Sequence, residues 1–398
     1  MIKEKIKSLF SERTFIILFI LYVINKNFTF SVLTYNSGFS LARKIILYSI
    51  YGIFFCKILI DIYKSKKINY LCLGLFLLSC IASLISKNKE LLGYVLVIIA
   101  IYKLDFNKIV RSCLFGNLFS FSVITILSLL GFIPNLRVFT PDGIAYSLGY
   151  YYSTFPATYV FLMFLMRFYL KKENVKSIEI LSSLVINFVV YKITLSETAF
   201  ILNLGILFFE IVYKIYKYKK WNIKQIAYKN ILSIFFIIIP ILIFGFSFIT
   251  TFTYNPQIEI YATLDKKLNN RVHLAKEAVD KYGVSAFGKK IKWIGNGGKG
   301  YMKDSGESYN FVDNAYIRIM LDYGLIFLCV ILLVYLLGQI EFSKQKKYII
   351  LFINTLILIW GITEPNLLEI EKNVFIVITI NSVINKEKYY LEIKRKTI

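Results

Sequence analysis

Residues 251–322 read TFTYNPQIEIYATLDKKLNNRVHLAKEAVDKYGVSAFGKKIKWIGNGGKGYMKDSGESYNFVDNAYIRIMLD. This is the one long stretch of the chain that is not membrane-like. It is charged and polar through residue 312, then runs into an apolar helical pattern that keeps Arg318 and Asp322. On either side of it, hydrophobic runs follow one another with only short polar breaks. Runs of about 20 apolar residues have the length needed to cross a bilayer as helices. The contrast therefore predicts an all-α polytopic membrane protein with one long loop outside the bilayer.

Composition supports that class. The 398 residues are 57% hydrophobic and 18% charged, against roughly 45–50% and about 25% in soluble domains. A transmembrane barrel would show alternating segments of about 10 residues, and none occurs. About twelve spans are expected, at 14–34, 43–63, 68–86, 90–103, 110–133, 152–169, 178–195, 197–214, 230–250, 313–338, 347–363 and 372–385. The fourth and the last are short enough to be re-entrant, so the expected range is 10–12. The organisation is then helices 1–9 over 1–250, a long loop with an amphipathic helix over 251–312, and helices 10–12 with a tail over 313–398. The start, with basic residues before a long apolar run and no small-residue cleavage site, reads as an uncleaved first span.

The net charge is +24. No basic segment forms a folded unit large enough for nucleic-acid recognition, so the excess reads as loop charge facing anionic lipid. With the N-terminus inside, the inside segments collect most of the Lys and Arg. The short outside loops hold only Arg43, Lys44, Lys87, Lys89, Arg137 and Lys372. This bias puts both termini in the cytoplasm and the 251–312 loop outside. A loop on that side meets no cytoplasmic nucleotide, and GNGGKG (Gly295–Gly300) lacks the Lys-Ser/Thr ending of a phosphate-binding loop. It reads as a flexible turn within a mobile segment, 295–310. The five cysteines all fall in apolar runs and form no CxxC pair, which argues against disulfides and zinc sites. No metal and no cofactor is expected.

Residues 264–282 read as one amphipathic helix with Leu268, Val272, Ala275, Val279 and Tyr282 on one face and Gly283 as its stop. Arg271, in its first half, has the planar fork that grips phosphate. His273 is the only histidine. In the following span Asn314, Arg318 and Asp322 recur at i, i+4 and i+8 on one face, about 6 Å apart in depth. Arg318 and Asp322 either neutralise each other or line a pathway. Asp313 stands at the mouth of that span with no close partner in sequence. Glu364, before Pro365, is either an interfacial cap or a site residue, and Arg137 is either a solvated charge or a phosphate contact.

Several segments, in matching order over most of 137–380, resemble the Wzy-type polysaccharide polymerases of capsule and O-antigen assembly, and more distantly the O-antigen ligases. NNRVHLAKEAVDKYGVSAFGKKIKWIG resembles that family's Gly-Arg loop segment, with Asn270 where Gly is usual. VDNAYIRIMLDYGLIF resembles the start of the following span, with Asp313 where many relatives carry His. WGITEPNLLEIEKNVFI resembles the stretch near the C-terminus, and SLGYYYSTFPATYVF and TLSETAF are weaker echoes. The resemblance implies a GT-C-like glycosyltransferase that needs neither metal nor nucleotide. It implies an undecaprenyl-pyrophosphate-linked oligosaccharide as substrate, bacterial plasma-membrane lipid around it, and a flippase and chain-length regulator as partners. It assigns Arg271 and Arg137 to the pyrophosphate and Asp313 to orienting the acceptor or serving as the base. Asn314, Arg318, His273 and Glu364 are read beside them as further substrate-binding candidates. A flippase of lipid-linked oligosaccharide would share the span count, but the internal repeats common in transporters are absent. A ligase is barely separable by sequence.

Overall fold

A computed structural model describes residues 11–65, 69–140, 143–218, 226–295 and 309–384. The Gly-rich turn beyond Gly295, most of the segment expected to be mobile, and the C-terminal tail lie outside these residues. The described chain is mostly α-helical, with one two-stranded hairpin. Helices occupy all twelve expected runs. Among the described residues six helices are long and apolar enough to cross a membrane: Ser37–Lys64, Phe106–Leu129, Ser177–Thr194, Glu197–Ile215, Ile234–Phe252 and Leu325–Lys344. Four shorter apolar helices add Tyr70–Ser86, Glu90–Ile101, Tyr348–Trp360 and Phe375–Ile384. Their outward faces are apolar. Ser177–Thr194, for example, leaves Ile178, Leu181, Val185 and Val189 more than half exposed. A contiguous apolar stripe of this kind is unfavourable in water and ordinary in lipid.

The described residues fall into two compact units, one from within Met1–Lys57 and Leu104–Ile223, the other from within Ile58–Lys103, Lys224–Gly295 and Ser308–Ile398. In the first, α1 (Glu12–Phe28) crosses α5 (Phe106–Leu129) closely. A Cβ at Gly116 would lie 2.7 Å from Val23, so glycine is what permits the approach. Buried polar groups at this crossing satisfy one another, with Asn27 donating to Asn117 and Tyr159 donating to Asn27. The hairpin β1 (Arg137–Thr140) and β2 (Gly143–Tyr146) pairs Arg137 with Tyr146. It precedes α6 (Thr154–Lys171), α7 (Ser177–Thr194) and α8 (Glu197–Tyr218). One terminal nitrogen of Arg167 on α6 donates to both carboxylate oxygens of buried Glu210 on α8 at 2.6 Å, a charge-assisted pair that ties these helices together.

The second unit contains α3 (Tyr70–Ser86), α4 (Glu90–Ile101), α9 (Ile226–Phe252), α10 (Glu259–Lys267), α11 (Arg271–Tyr282), α12 (Ala315–Tyr323), α13 (Leu325–Lys344), α14 (Tyr348–Trp360) and α15 (Phe375–Ile384). Two sequence expectations are corrected here. The amphipathic helix over 264–282 is two helices, because Asn269 and Asn270 adopt positive φ of 52° and 61° and turn the chain before Arg271. Asparagine tolerates that left-handed region better than most side chains do. The single span at 313–338 is likewise two helices, broken at Gly324 with φ 95°.

The break at Gly324 is stabilised from a distance. Residues 285–289 of the long loop lie against it. The Leu325 amide donates to the Ser285 carbonyl at 2.9 Å, Ile326 donates to Ala286 at 3.2 Å, and Lys289 donates to Leu321 at 2.9 Å. Backbone groups released by ending one helix and starting another are thereby paired, as buried amides require. The two backbones touch. A Cβ at Gly324 would lie 2.2 Å from the Ala286 oxygen, and one at Gly288 would lie 2.3 Å from the Asp322 oxygen.

Gly324→Ala should therefore lower stability by at least about 2 kcal/mol, read as a fall in the thermal midpoint of the detergent-solubilised protein. Gly74→Ala in α3, where nothing lies within 4 Å, should be neutral or stabilising by about 0.5–1 kcal/mol. Equal midpoints for the two variants would refute the packing argument at Gly324.

Candidate functional site

Arg271 is set by the corner between α10 and α11. Asp265, buried at the end of α10, accepts from the amides of Val272 and His273 through Oδ1, both at 3.0 Å. Its Oδ2 accepts from the Tyr254 hydroxyl at 3.1 Å. A carboxylate on the first amides of α11 also suits the helix dipole. Asp265 escapes sequence reading because its cap spans seven and eight residues. Its signal is an acidic residue shortly before Asn-Asn.

Arg271 Nε donates to Asp313 Oδ2 at 3.2 Å, with the two side chains 18% and 23% exposed. Among the described residues no hydrogen bond engages the two terminal guanidinium nitrogens. Arg271 lines a narrow cleft together with Thr250, Thr251, Asn314, Ile362 and Thr363. Asp313 thus has the close partner that its neighbours in sequence do not supply. Burial raises its pKa, and the charge of Arg271, then that of Arg318, pulls it back.

Asn314 begins α12. Its side-chain oxygen accepts from the amides of Tyr316 at 3.0 Å and Ile317 at 3.2 Å, which leaves the side-chain amide for any ligand in the cleft. Four residues on, Arg318 Nε donates to Asp322 at 2.6 Å. Trp293 donates to the other Asp322 oxygen at 2.8 Å. The Arg318 guanidinium sits 4.1 Å from the Trp293 ring and 4.7 Å from the Phe311 ring. Arg318 and Asp322 thus form an ion pair, with cation–π contacts added. The cluster clasps the two ends of the loop onto α12. Trp293 does not stand out in the sequence, since its partners in this cluster, Phe311, Arg318 and Asp322, are remote along the chain.

Glu364 lies in the connection after α14. That connection is docked on α12 by the Ala315 amide donating to Gly361 at 2.8 Å and the Tyr316 hydroxyl donating to Leu358 at 2.6 Å. Burial is the main cause that pushes the Glu364 carboxyl up to about 7. The charges of Arg271 and Lys372 oppose this, and those of Asp313 and Glu369 add to it.

His273 and Arg137 make other contacts. His273 points its ring nitrogen at Glu277, 3.3 Å away, in a pair that is largely exposed. It stacks loosely on Tyr254 and does not line the cleft. Arg137 belongs to the first unit, exposed on β1, with its guanidinium 5.8 Å from the Tyr146 ring. The structure therefore brings Arg271, Asp313, Asn314 and Glu364 together, with Arg318 behind them. Among the described residues no three His, Cys, Asp or Glu side chains converge as a metal site. Comparison with protein families, with curated proteins and with solved structures finds no match to the chain.

The raised Glu364 carboxyl makes stability depend on pH. The folded state keeps a proton that the unfolded chain releases above about 4.5, so raising the pH from there to about 7 favours unfolding. Asp313 acts in the same direction. Thermal midpoints in detergent should fall over this window. Glu364→Gln should flatten the fall and make the variant the more stable protein at about pH 8. An unchanged slope in that variant would contradict the assigned burial of the carboxyl.

Proposed function

We propose that the chain is a membrane glycosyltransferase that joins lipid-linked oligosaccharide repeat units on the outer face of a bacterial cytoplasmic membrane. The donor is a glycan on undecaprenyl pyrophosphate, and the acceptor is a hydroxyl of the next lipid-linked unit. The observation that carries this reading is Arg271, which is bonded through Nε to Asp313 and lines a narrow cleft. A guanidinium held in that way suits bidentate contact with a phosphate oxygen pair.

Glycosyl transfer with a pyrophosphate leaving group needs cationic donors where negative charge grows, and a group to take the acceptor proton. Arg271 supplies the first, and carboxyls stand beside it. The order of segments resembling the Wzy-type polymerases and the basic bias of the expected inside loops support the same reading. In this reading both termini are cytoplasmic, and α10, α11 and the cleft lie outside. The shorter helices complete a set of 10–12 spans.

Deleting the gene should leave single lipid-linked units on the outer face and no long polymer. Units stranded on the cytoplasmic face would instead indicate a flippase, and persistence of long chains would remove the polymerase reading. Arg271→Ala should abolish polymer at normal protein level. Arg271→Lys should restore little, because an ammonium cannot reproduce the fork. Chain lengths like those of the wild type in Arg271→Ala would exclude the cleft as the site.

A further inference from the structure

The hairpin β1–β2 turns its two faces to different surroundings. Its register sets Arg137 opposite Tyr146 and Phe139 opposite Ile144. Directly opposed residues of an antiparallel pair share a face, as do residues two apart on one strand. Arg137, Phe139, Ile144 and Tyr146 therefore form one face, and Val138 and Ala145 belong to the other. The second face is turned inward. Ala145 is buried, β2 packs on α7, and a Cβ at Gly143 would meet the Leu195 side chain at 3.8 Å. The first face is open. Phe139 is 79% exposed and Ile144 40%, with the Arg137 guanidinium 5.8 Å from the Tyr146 ring.

The hairpin is held where two helices of membrane length end. On α5, Phe115, Leu118, Ile126 and Leu129 are exposed at helical spacing, the stripe that lipid covers on a crossing helix. The chain leaves that stripe through exposed Leu130 and Phe132 and enters β1. α7, also long and apolar enough to cross, ends at Thr194, one residue before Leu195. The base of the hairpin is fastened. The Leu136 amide donates to Ser147 Oγ at 3.0 Å, the Ser147 amide donates to the Leu136 carbonyl at 3.0 Å, and the Leu148 amide donates to Asn135 Oδ1 at 2.9 Å.

We propose that the outward face of this hairpin is an interfacial anchor, with Phe139 and Ile144 set into the bilayer surface and Arg137 on a phospholipid phosphate. The occupant is lipid because the exposed apolar residues continue, in chain order, from a helix face that lipid covers. The placing of the cation agrees. An arginine beside aromatic and aliphatic side chains at a membrane boundary keeps its stem in apolar surroundings and its charged head among the headgroups, and its planar fork matches phosphate. Scattered exposed apolar residues are ordinary on any surface, whereas a cross-strand apolar pair that prolongs a lipid-facing stripe is suited to the membrane boundary. The assignment is independent of the glycosyl-transfer reading. It gives Arg137 a lipid headgroup where the resemblance to the polymerases gives it the substrate pyrophosphate.

Two measurements test this on the full-length chain in nanodiscs of phosphatidylglycerol and phosphatidylcholine that hold no undecaprenyl lipid. The first places a fluorine reporter on the face, Phe139→trifluoromethylphenylalanine. Lipid with a nitroxide on its acyl chain should broaden the fluorine-19 signal more than a water-soluble gadolinium chelate does. The reverse order would place the face in water, and no broadening by either would place it under protein such as a second copy; both results overturn the anchor. The second recouples arginine guanidinium carbon to phosphorus in the solid state. Dephasing by lipid phosphorus should be weaker in Arg137→Gln than in the wild type, and an unchanged fluorine shift in that variant would verify that its hairpin is intact. Equal dephasing overturns the headgroup contact. So does a difference that arises only once undecaprenyl pyrophosphate is added, since Arg137 would then belong to the substrate.

Discussion

The contact between residues 285–289 and the helix break at Gly324 is what the second unit is assembled on. Ending a helix leaves carbonyls without partners, and starting another leaves amides without partners. Where water is scarce such groups are costly, and in a bilayer they are close to prohibited unless the protein itself supplies partners. Here the loop backbone supplies them through Ser285, Ala286 and Lys289. Neither Gly288 nor Gly324 leaves room for a methyl group, so the distance between the two backbones is set by contact.

Once that contact is made, the polar groups have little freedom. The loop returns along α12, and Trp293 and Phe311 close over Arg318 from its two ends. Arg318 and Asp322 are buried together, neutral as a pair and bonded to the indole. Removing one partner of such a pair costs far more than the pair contributes net, so it acts as a fastener. Asp313 and Asn314 emerge at the start of the same short helix, and Asp313 meets Arg271 from the other side of the loop. The arginine is thus held between two anchored helix starts, one capped by Asp265 and the other by Asn314.

Much of the helical framework was legible in the chain, because twelve apolar runs separated by short polar breaks can bury their backbones in lipid only as helices. Gly283 was legible too, and it ends α11 with φ 65°. The two helix breaks were not. Hydrophobic spacing continues across Asn269–Asn270 and across Gly324, and an isolated glycine in a helical pattern is usually tolerated. What breaks the second helix is a set of carbonyls and an amide some 35–40 residues earlier, which no local window contains. Arg271 and Asp313 stood out by residue type and by resemblance, but their bond did not, since 42 residues separate them. Glu364 remained open between cap and site residue because its surroundings are made by α11 and the start of α12.

The charge count around the cleft explains why so few residues are needed there. Arg271 faces Asp313 and Glu364, and Arg318 is already neutralised by Asp322. Two ionised carboxylates against one available guanidinium leave a net negative charge in a partly desolvated place, and protonation of one carboxyl is the least costly relief. At Asp313 the charge and hydrogen bond of Arg271 oppose the rise that burial causes, so the proton goes to the other carboxyl, Glu364.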